Sequence, residues 1–577
     1  MKTILQTIVL ACFLLIGNTF HSQNLSCDWL HTFGNFGENR GVDADVDSEG
    51  NFLIVGHYSG EIDIDPSVNT YLMESNFLDC FLAKYSPNQE LIWAHNFGGS
   101  NSKFVNKIHV LDDGRILLCG NFSQTCDFDF SDNEFLLQSN GFSDAFMAIY
   151  TSEGSFVNAV SIGGVLGDDV AFDAVTDSQG NFYFGGYFYV SADIDPSNNV
   201  YIVNEYTGAS LDMYLVKLSS TYEFVWGGIV SGQGFEFPAA LCIDAGDNLV
   251  IAGLTEANPD FDLSEDIQYA NIQVDELNHP NCFVAKYSSE GALLDARIFG
   301  GTNDDYIVSM VPNAQGYLIA GTYSGSGDFD PGSGIIDFVT YGDNDAFLVQ
   351  LDFEFSLVWS YNVGSEEPDY FNDIAIDEFG NIAAAGSFEM SIDFDNSESE
   401  FILSVAETVE GLYPDAIVVL LSSDGQFKEA KKFGGWHFDR ASGVAISDNR
   451  ILLTGYFTYE TSIDACSANT NEDYQEDVFV LCLNSEYLLV SEENLYWNSA
   501  YPNPVDKFIN IAFSKHESLG QAEIKLYDMQ GSLVKSVAIA HTQATYMLDC
   551  ILLENGTYLL AIEGAGFRTT QKIFVEH

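Results

Sequence analysis

Residues 47–56 read DSEGNFLIVG, a polar turn followed by an apolar run that closes on Gly56. The same pattern returns six times, as LDDGRILLCG (111–120), DSQGNFYFGG (177–186), DAGDNLVIAG (244–253), NAQGYLIAG (313–321), DEFGNIAAAG (377–386) and SDNRILLTG (447–455). The spacing of the closing glycines ranges from 64 residues (Gly56 to Gly120) to 69 (Gly386 to Gly455). Such regularity indicates seven copies of one supersecondary unit.

Each copy also carries an acid or amide that opens an alternating apolar run, as in DCFLAKY from Asp79 and DAFLVQL from Asp345. A short turn then leads to a further strand, often with Trp and Phe-Gly-Gly, as in IWAHNFGG at 92–99. The alternation is the strand period of two, so each unit holds two hairpins, or four strands. The sequence therefore predicts an all-β fold.

A seven-bladed β-propeller over residues 27–489 and an open solenoid both fit seven four-stranded units. The chain ends favour the propeller. The first copy begins with its fourth-strand pattern alone, CDWLHTFG at 27–34, and the last stops after its third, DVFVLCL at 477–483. An N-terminal strand that completes the last blade would close the ring three-plus-one and remove its free edges.

Two families resemble parts of this chain. The elements FGGTNDDY (299–306), DSEGNFLIVG and DAFLVQL resemble bacterial β-propeller repeats in which a Gly-Gly-x-x-x-Asp turn leads to Asp-x-x-Gly-Asn and then Asp-Ala-Phe. YPNPVDKFINI (501–511), IKLYDMQGSLV (524–534) and LLENGTYLLAIEGAGFRTTQKIFVEH (552–577) resemble the type A sorting domain of the type IX secretion system of Bacteroidota. This second resemblance implies that residues 501–577 form a small β-sandwich after a linker at 490–500, recognised by the outer-membrane translocon.

Composition and the first residues predict an exported protein. Met1-Lys2 and an apolar run from Ile4 to Ile16 read as a signal peptide over residues 1–23. No later stretch is long and apolar enough for a transmembrane segment. The 85 Asp and Glu residues against 20 Lys and Arg give a net charge of −65, which repels phosphate backbones and excludes nucleic acid as a partner. We expect a secreted or outer-membrane surface protein.

A spaced acid pair follows the glycine-closed hairpin in six of the seven units. Because these pairs recur, we expect them to cap turns of the framework, with the intervening Ile or Phe pointing into the blade. Calcium is the alternative ligand, since paired carboxylates supply hard oxygen atoms. The calcium candidates are Asp63, Asp65, Asp127, Asp129, Asp193, Asp195, Asp260, Asp262, Asp328, Asp330, Asp393 and Asp395. The seventh copy has Asp464 but Cys466.

A second repeated position lies eight residues before the start of each hairpin, and its seven members would form a ring in a closed propeller. Its members are Asn39, Phe104, Asp169, Glu236, Asp305, Asp369 and Asp439. We expect turn acids that bond to local amides around one channel mouth and make that mouth attract cations. Four residues further on, the mixture of Asp43, Ile108, Asp173, Ala240, Ser309, Asp373 and Gly443 suggests no common site.

Two cysteines suggest a closing staple. By alignment of the repeats, Cys482 takes the place of Lys84 and Cys27 that of Leu91. A Cys27–Cys482 disulfide would link the first strand to the last blade, and two buried free thiols are the alternative.

The sequence favours a non-catalytic binding or structural module whose ligand is an extracellular glycan or protein. Two alternatives remain: a glycan-active hydrolase or lyase with its site at one propeller mouth, and a calcium-dependent adhesin. No catalytic residue is identified, because the sequence has no Gly-x-Ser-x-Gly elbow, no paired His spacing and no phosphate-binding glycine loop. No cofactor is indicated apart from the calcium candidate. Individual loops, among them GGWHFDR at 434–440, are where binding would be built; Trp436 and His437 there could stack on a sugar or peptide.

Overall fold

The computed structural model describes residues 25–575, apart from 35–36, 100, 206–210, 265–266, 273–278, 398, 406–410, 465, 470–475, 486–498, 502–506, 513–520, 529–532, 541–544, 551–552, 554–555 and 565–566. The predicted signal peptide and most of the predicted linker lie outside the described residues. Every regular element within them is a β-strand, so the all-β prediction is confirmed.

Residues 26–484 form one compact unit. Its strands are β1 (Ser26–Phe33), β2 (Arg40–Val46), β3 (Phe52–Asp63), β4 (Leu72–Tyr85), β5 (Leu91–Asn96), β6 (Gly98–Gly99), β7 (Lys103–Val110), β8 (Ile116–Phe122), β9 (Thr125–Asp127), β10 (Leu136–Gln138), β11 (Asp144–Tyr150), β12 (Phe156–Ile162), β13 (Val170–Thr176), β14 (Phe182–Tyr189), β15 (Ser191–Asp193), β16 (Ile202–Asn204), β17 (Leu211–Leu218), β18 (Phe224–Val230), β19 (Glu236–Ile243), β20 (Leu249–Thr255), β21 (Asn271–Ile272), β22 (Asn281–Tyr287), β23 (Leu293–Gly301), β24 (Tyr306–Asn313), β25 (Gly316–Asp328), β26 (Asp337–Leu351), β27 (Leu357–Val363), β28 (Tyr370–Ile376), β29 (Ile382–Phe388), β30 (Ser391–Asp393), β31 (Ile402–Ser404), β32 (Asp415–Leu421), β33 (Phe427–Phe433), β34 (Asp439–Ser447), β35 (Arg450–Thr458), β36 (Glu460–Ile463), β37 (Cys466–Asn469) and β38 (Glu476–Asn484).

Each sequence repeat pairs its strands as an antiparallel set of four. Five sets are separate sheets, in the orders β2-β3-β4-β5, β7-β8-β11-β12, β13-β14-β17-β18, β28-β29-β32-β33 and β34-β35-β38-β1. The sets β19-β20-β22-β23 and β24-β25-β26-β27 belong to one larger sheet, because Gly300 and Gly301 also pair with Asp328 and Gly327. The short strands β9, β15 and β30 begin small hairpins and end on the first acid of a pair, and β36 begins the corresponding hairpin of the seventh repeat.

The first strands of successive sets contact one another around a cycle. β2 contacts β7, β7 contacts β13, and the series continues through β19, β24, β28 and β34 back to β2. The set that contains β34 is completed by the N-terminal strand, in which Trp29 lies opposite Cys482 and Thr32 opposite Phe479. The two ends of this unit therefore share one sheet.

The repeated Asp-x-x-Gly-Asn sequence folds as a tight hairpin because its polar side chains satisfy the turn amides. Asp47 Oδ1 accepts hydrogen bonds from the backbone N–H groups of Glu49 and Asn51, both at 2.9 Å, and Asp47 Oδ2 accepts one from Asn51 Nδ2. Gly50 has φ +76°, a conformation that favours glycine. The apolar residues that follow are buried between neighbouring sets.

The structure corrects the predicted disulfide. Cys27 is bonded to Cys466, with a Cα–Cα distance of 6.4 Å, and Cys482 is a buried free thiol in the core. The aligned positions do not face each other: Trp29 lies opposite Cys482 as Trp93 lies opposite Lys84, and Cys27 lies opposite Leu483 as Leu91 lies opposite Tyr85. Cys466 begins β37. Ser462 bridges to Gly434 as Asp193 bridges to Gly163, so Ser462 takes the place of the first acid and Asp464, not Cys466, that of the second.

The C-terminal residues form two further antiparallel sheets. One contains β39 (Ser499–Tyr501), β40 (Phe508–Ala512) and β43 (Thr545–Asp549), and the other contains β41 (Gln521–Asp528), β42 (Leu533–Ala540), β44 (Gly556–Gly564) and β45 (Phe567–Val575). Ile509 and Leu548 of the first sheet and Ile524 and Leu560 of the second are buried. Both sheets thus have an apolar side.

Candidate functional site

The acid pairs bond to the amides of their own loops. In all six copies Oδ1 of the first acid accepts the N–H of the second acid at 3.1–3.2 Å and the N–H eight residues on at 2.7–2.9 Å. Oδ1 of the second acid accepts the N–H two residues on at 2.8–3.0 Å. The intervening residues Ile64, Phe128, Ile194, Phe261, Phe329 and Phe394 are buried, so each pair holds its loop on the blade.

Calcium binding at these pairs stays a prediction. Among the described residues, no three His, Cys, Asp or Glu side chains come together in a way that could hold a metal ion. In this arrangement the carboxylates already have partners, which favours the framework role.

We therefore expect calcium and the chelator EDTA to leave the melting temperature unchanged, measured by differential scanning fluorimetry. Asp193→Ala should lower stability by about 1–2 kcal/mol, because the N–H groups of Asp195 and Tyr201 lose their acceptor. A stabilisation by calcium that disappears in Asp193→Ala would establish the metal site instead.

A second group of polar residues lies at the seams between consecutive repeats. Gly163 runs between two carboxylates: a Cβ there would lie 2.5 Å from Asp144 and 2.9 Å from Asp169. Gly300, with φ +138°, lies in the same way beside Asn281 and Asp305. We name as a seam pair the third-strand residue of one repeat at the position of Asp144 together with the residue at or just before the start of the next repeat's first strand. The seam pairs are Asp79/Lys103, Asp144/Asp169, Asp212/Glu236, Asn281/Asp305, Asp345/Asp369, Asp415/Asp439 and Asp477/Asn39.

Strand pairing corrects one member of the predicted second ring, the residue in the second repeat. Val105 pairs with Gly120 as Gly41 pairs with Gly56, so the ring position of the second repeat is Lys103 and not Phe104. The count was off by one because Leu111, which bonds to Arg115 O, takes the place of Asp47 in that hairpin. Lys103 is buried, and its Nζ lies 2.8 Å from Asp79 Oδ1.

The ring acids are buried. Their carboxylates accept N–H groups of the turn that enters the next repeat, as Asp169 does from Gly164 at 2.6 Å and Asp369 from Ser365 at 2.6 Å. Burial, with the nearby partner acid as a further cause, raises the pKa of Asp169 and Asp369 to about 7 and that of Glu236 to about 9. These raised pKa values favour the neutral forms, so the ring carries less negative charge near neutral pH than its sequence suggests.

A charged cluster that sequence reasoning missed lies in the channel formed by the first strands. The channel encloses a cavity of about 290 Å³. Lys107 Nζ lies 3.4 Å from Asp43 Oδ2 and 3.2 Å from Asp373 Oδ1, and His109 Nε2 lies 2.8 Å from Asp173 Oδ1. Because Asp43 is in the first repeat, Lys107 in the second and Asp373 in the sixth, the lysine bridges the channel.

The channel acids also bond the repeats to one another. Asp43 Oδ2 accepts the N–H of Ile108 at 2.9 Å. Asp173 Oδ2 accepts the N–H of Leu241 at 2.7 Å, and Asp373 Oδ2 that of Val444 at 3.0 Å. Each bond joins one first strand to the next, so the cluster serves as a clamp.

The electrostatics of the channel follow from burial and pairing. Burial raises the pKa of Asp43 to about 6, although Lys107 opposes the shift. Burial favours the neutral forms of Lys107 and His109, but the neighbouring carboxylates outweigh it and raise the pKa of both. This cluster was missed from the sequence because the count in the second repeat was one residue off. Strand pairing places Lys107, and not Ile108, at the position of Asp43.

Comparison with known proteins identifies the C-terminal part. Residues 499–576 match the secretion system C-terminal sorting domain family. The chain thus carries the sorting domain of the type IX secretion system, which marks proteins exported to the cell surface or the extracellular space and implies interaction with the secretion machinery. In the part of the chain that the structure describes, no helix could span a membrane.

Two proteins are similar to the larger part of the chain. An uncharacterized WD repeat-containing protein of Acanthamoeba polyphaga mimivirus is 20% identical over 519 residues, which make up 74% of this chain and 36% of that protein. The chain thus spans about a third of the length of this curated relative. The crystal structure of dimeric latent PorU from Porphyromonas gingivalis is 10% identical, with 75% of this chain and 31% of that one covered, but the TM-score is 0.13. That likeness is too weak to support an argument.

Proposed function

We propose that residues 27–489 form a seven-bladed β-propeller, closed three-plus-one by the N-terminal strand, that acts outside the cell as a non-catalytic binding or structural module. Support comes from the cycle of contacts among the first strands and from the pairing of β1 with β38. The outer-membrane translocon would recognise residues 501–577, after a linker at 490–500.

One observation carries the non-catalytic proposal: the interior charged groups hold strands and loops of the framework in place. Loop acids, seam pairs and channel acids accept backbone N–H groups of their own or the next repeat, or they pair with Lys103, Lys107 or His109. Acid–base catalysis needs a carboxyl group that can reach substrate and exchange its proton. Groups held in this way stabilise the framework, which leaves the loops for binding.

A glycan-active enzyme is the second candidate, and His109 with Asp173 at the channel cavity is the observation in its favour. Incubation of the mature protein with a library of glycans and peptides separates the two. We expect retention of a ligand without new products by mass spectrometry. Release of products that ceases in His109→Ala would overturn the non-catalytic proposal.

A further inference from the structure

The seventh repeat presents an aromatic surface on the turn that enters β34. In the sequence GGWHFDR (434–440), Trp436 is 65% exposed and Phe438 is 50% exposed. The ring of His437 stacks on Tyr459 at a centroid distance of 4.2 Å, and Tyr413 packs against both His437 and Phe438 at 4.9 and 5.0 Å. The corresponding turns of the other repeats, such as GGTNDD (300–305) and GSEEPD (364–369), have no three consecutive aromatic rings.

The turn that carries these rings is held firmly. Gly435 N–H donates to Asp439 Oδ2 at 2.9 Å, and the N–H of Thr458 donates to the carbonyl oxygen of Phe438 at 2.9 Å. The N–H of Asp439 donates to Pro414 O at 3.0 Å. A ligand would therefore meet rings that are already in place, which reduces the entropy lost on binding.

Two arginines lie on neighbouring first strands: Arg440 is on β34, directly after this turn, and Arg40 is on β2. Arg440, which lies opposite Tyr456 in strand pairing, has its guanidinium carbon 5.6 Å from the centre of the Tyr370 ring. The guanidinium carbon of Arg40 lies 4.9 Å from the centre of the Tyr456 ring. Asn372 Oδ1 and the carboxylate of Glu476 orient the two guanidinium groups. Tyrosine and arginine thus alternate from the sixth repeat to the first.

We infer that this aromatic–arginine surface binds neutral oligosaccharides built of pyranose rings; the inference rests on the proposed binding function. The carbon-bound hydrogens on one face of a pyranose pack against Trp436 or Phe438, and its hydroxyl groups accept hydrogen bonds from the remaining N–H groups of Arg40 and Arg440. Anionic polymers are disfavoured by the net charge of −65. Protein partners also use aromatic and arginine side chains, so binding of a protein or peptide alone is one of the outcomes that the test separates.

The test uses the mature full-length protein and neutral gluco-, manno-, xylo- and galacto-oligosaccharides, with titration calorimetry as the measurement. At least one series should bind, and Trp436→Ala should weaken that binding about tenfold. Arg440→Lys should weaken it too, since lysine loses the planar contact with Tyr370. Val225→Ala, at an apolar residue 49% exposed on another repeat, is the matched control and should bind normally.

Three results would overturn the inference. They are binding by none of the four series, binding that Trp436→Ala leaves unchanged, and binding of a protein or peptide alone. All of these leave the propeller and its module role standing, whereas shortening of the bound oligosaccharide would overturn the proposed function itself. An unchanged melting temperature of Trp436→Ala excludes misfolding as the cause.

Discussion

Lys107→Met lowers the free energy of unfolding at about pH 8 by about 3–5 kcal/mol, because it leaves buried carboxylates without their cation. Lys107 is the cation between Asp43 and Asp373, whose side chains are 5% and 6% exposed. Methionine fills similar volume but cannot balance the charge. Urea denaturation monitored by fluorescence measures the loss.

The loss should shrink on acidification. Asp43 has its pKa raised to about 6 in the presence of Lys107, and removal of the cation can only raise this pKa further. At about pH 5 the carboxyl is protonated in the variant, so less uncompensated charge is buried. The control is Lys431→Met, which removes a lysine that pairs at 2.7 Å with Asp464, a side chain 41% exposed, and should cost below about 1 kcal/mol. Equal losses in the two variants, or a loss independent of pH, would show that Lys107 is no clamp.

The stability of the protein falls as the pH rises from about 5 to about 8, on the order of several kcal/mol. Burial raises the pKa of Asp144 and Asp345 to about 6 and that of Asp169, Asp305 and Asp369 to about 7. Their value in the unfolded chain is 3.8. The folded state therefore binds more protons, and this stabilisation is complete below the unfolded pKa and is lost as the pH rises through 6 and 7. Each group contributes at most about 1.4 kcal/mol for every tenfold difference in proton affinity between the folded and unfolded states.

The trend reverses in stronger acid. Burial alone would raise the pKa of Asp47, Asp177 and Asp244, but hydrogen bonds from the hairpin residues, with Lys84 at Asp47, outweigh burial and lower it. Their contribution is lost as the pH falls through these lowered values. Melting temperatures across the pH range should therefore be highest near about pH 4.

One substitution tests the seams directly. Asn281 stands naturally where Asp345 stands one repeat later, so Asp345→Asn gives a pairing that the fold already tolerates. The Asp345 Oδ1 atom accepts no hydrogen bond from any described residue. We expect Asp345→Asn to raise the melting temperature at about pH 8 and flatten the pH dependence, while Asp112→Asn, at an exposed acid, does neither. A steeper profile in Asp345→Asn would refute proton binding at the seams.

The repeat and its strands could be predicted from sequence because each local signal recurs. DSEGNFLIVG predicts a hairpin through Asp47, Gly50 and Asn51, and the bonds that these residues make are local. The sorting domain is likewise contained in three short contiguous elements, and the family match at 499–576 confirms it.

The channel cluster and the disulfide depend on register between distant segments. Lys107 and Asp373 are 266 residues apart, and Cys27 and Cys466 are 439 apart. One extra acid, Asp112, shifted the count by a residue and put Ile108 where Lys107 belongs. Likewise, the aligned positions of Cys27 and Cys482 do not face each other. Pairing across a bulge is decided by packing, which composition and spacing do not reveal.

The proposed closure of the ring by the N-terminal strand is tested most directly by peptide mapping of the secreted protein under non-reducing conditions. The structure predicts a single linked pair of peptides that contains Cys27 and Cys466, with Cys482 alkylated only after denaturation. Cys27 recovered as a free thiol in native protein, or linked to any other cysteine, would contradict the position of β1 beside the last repeat.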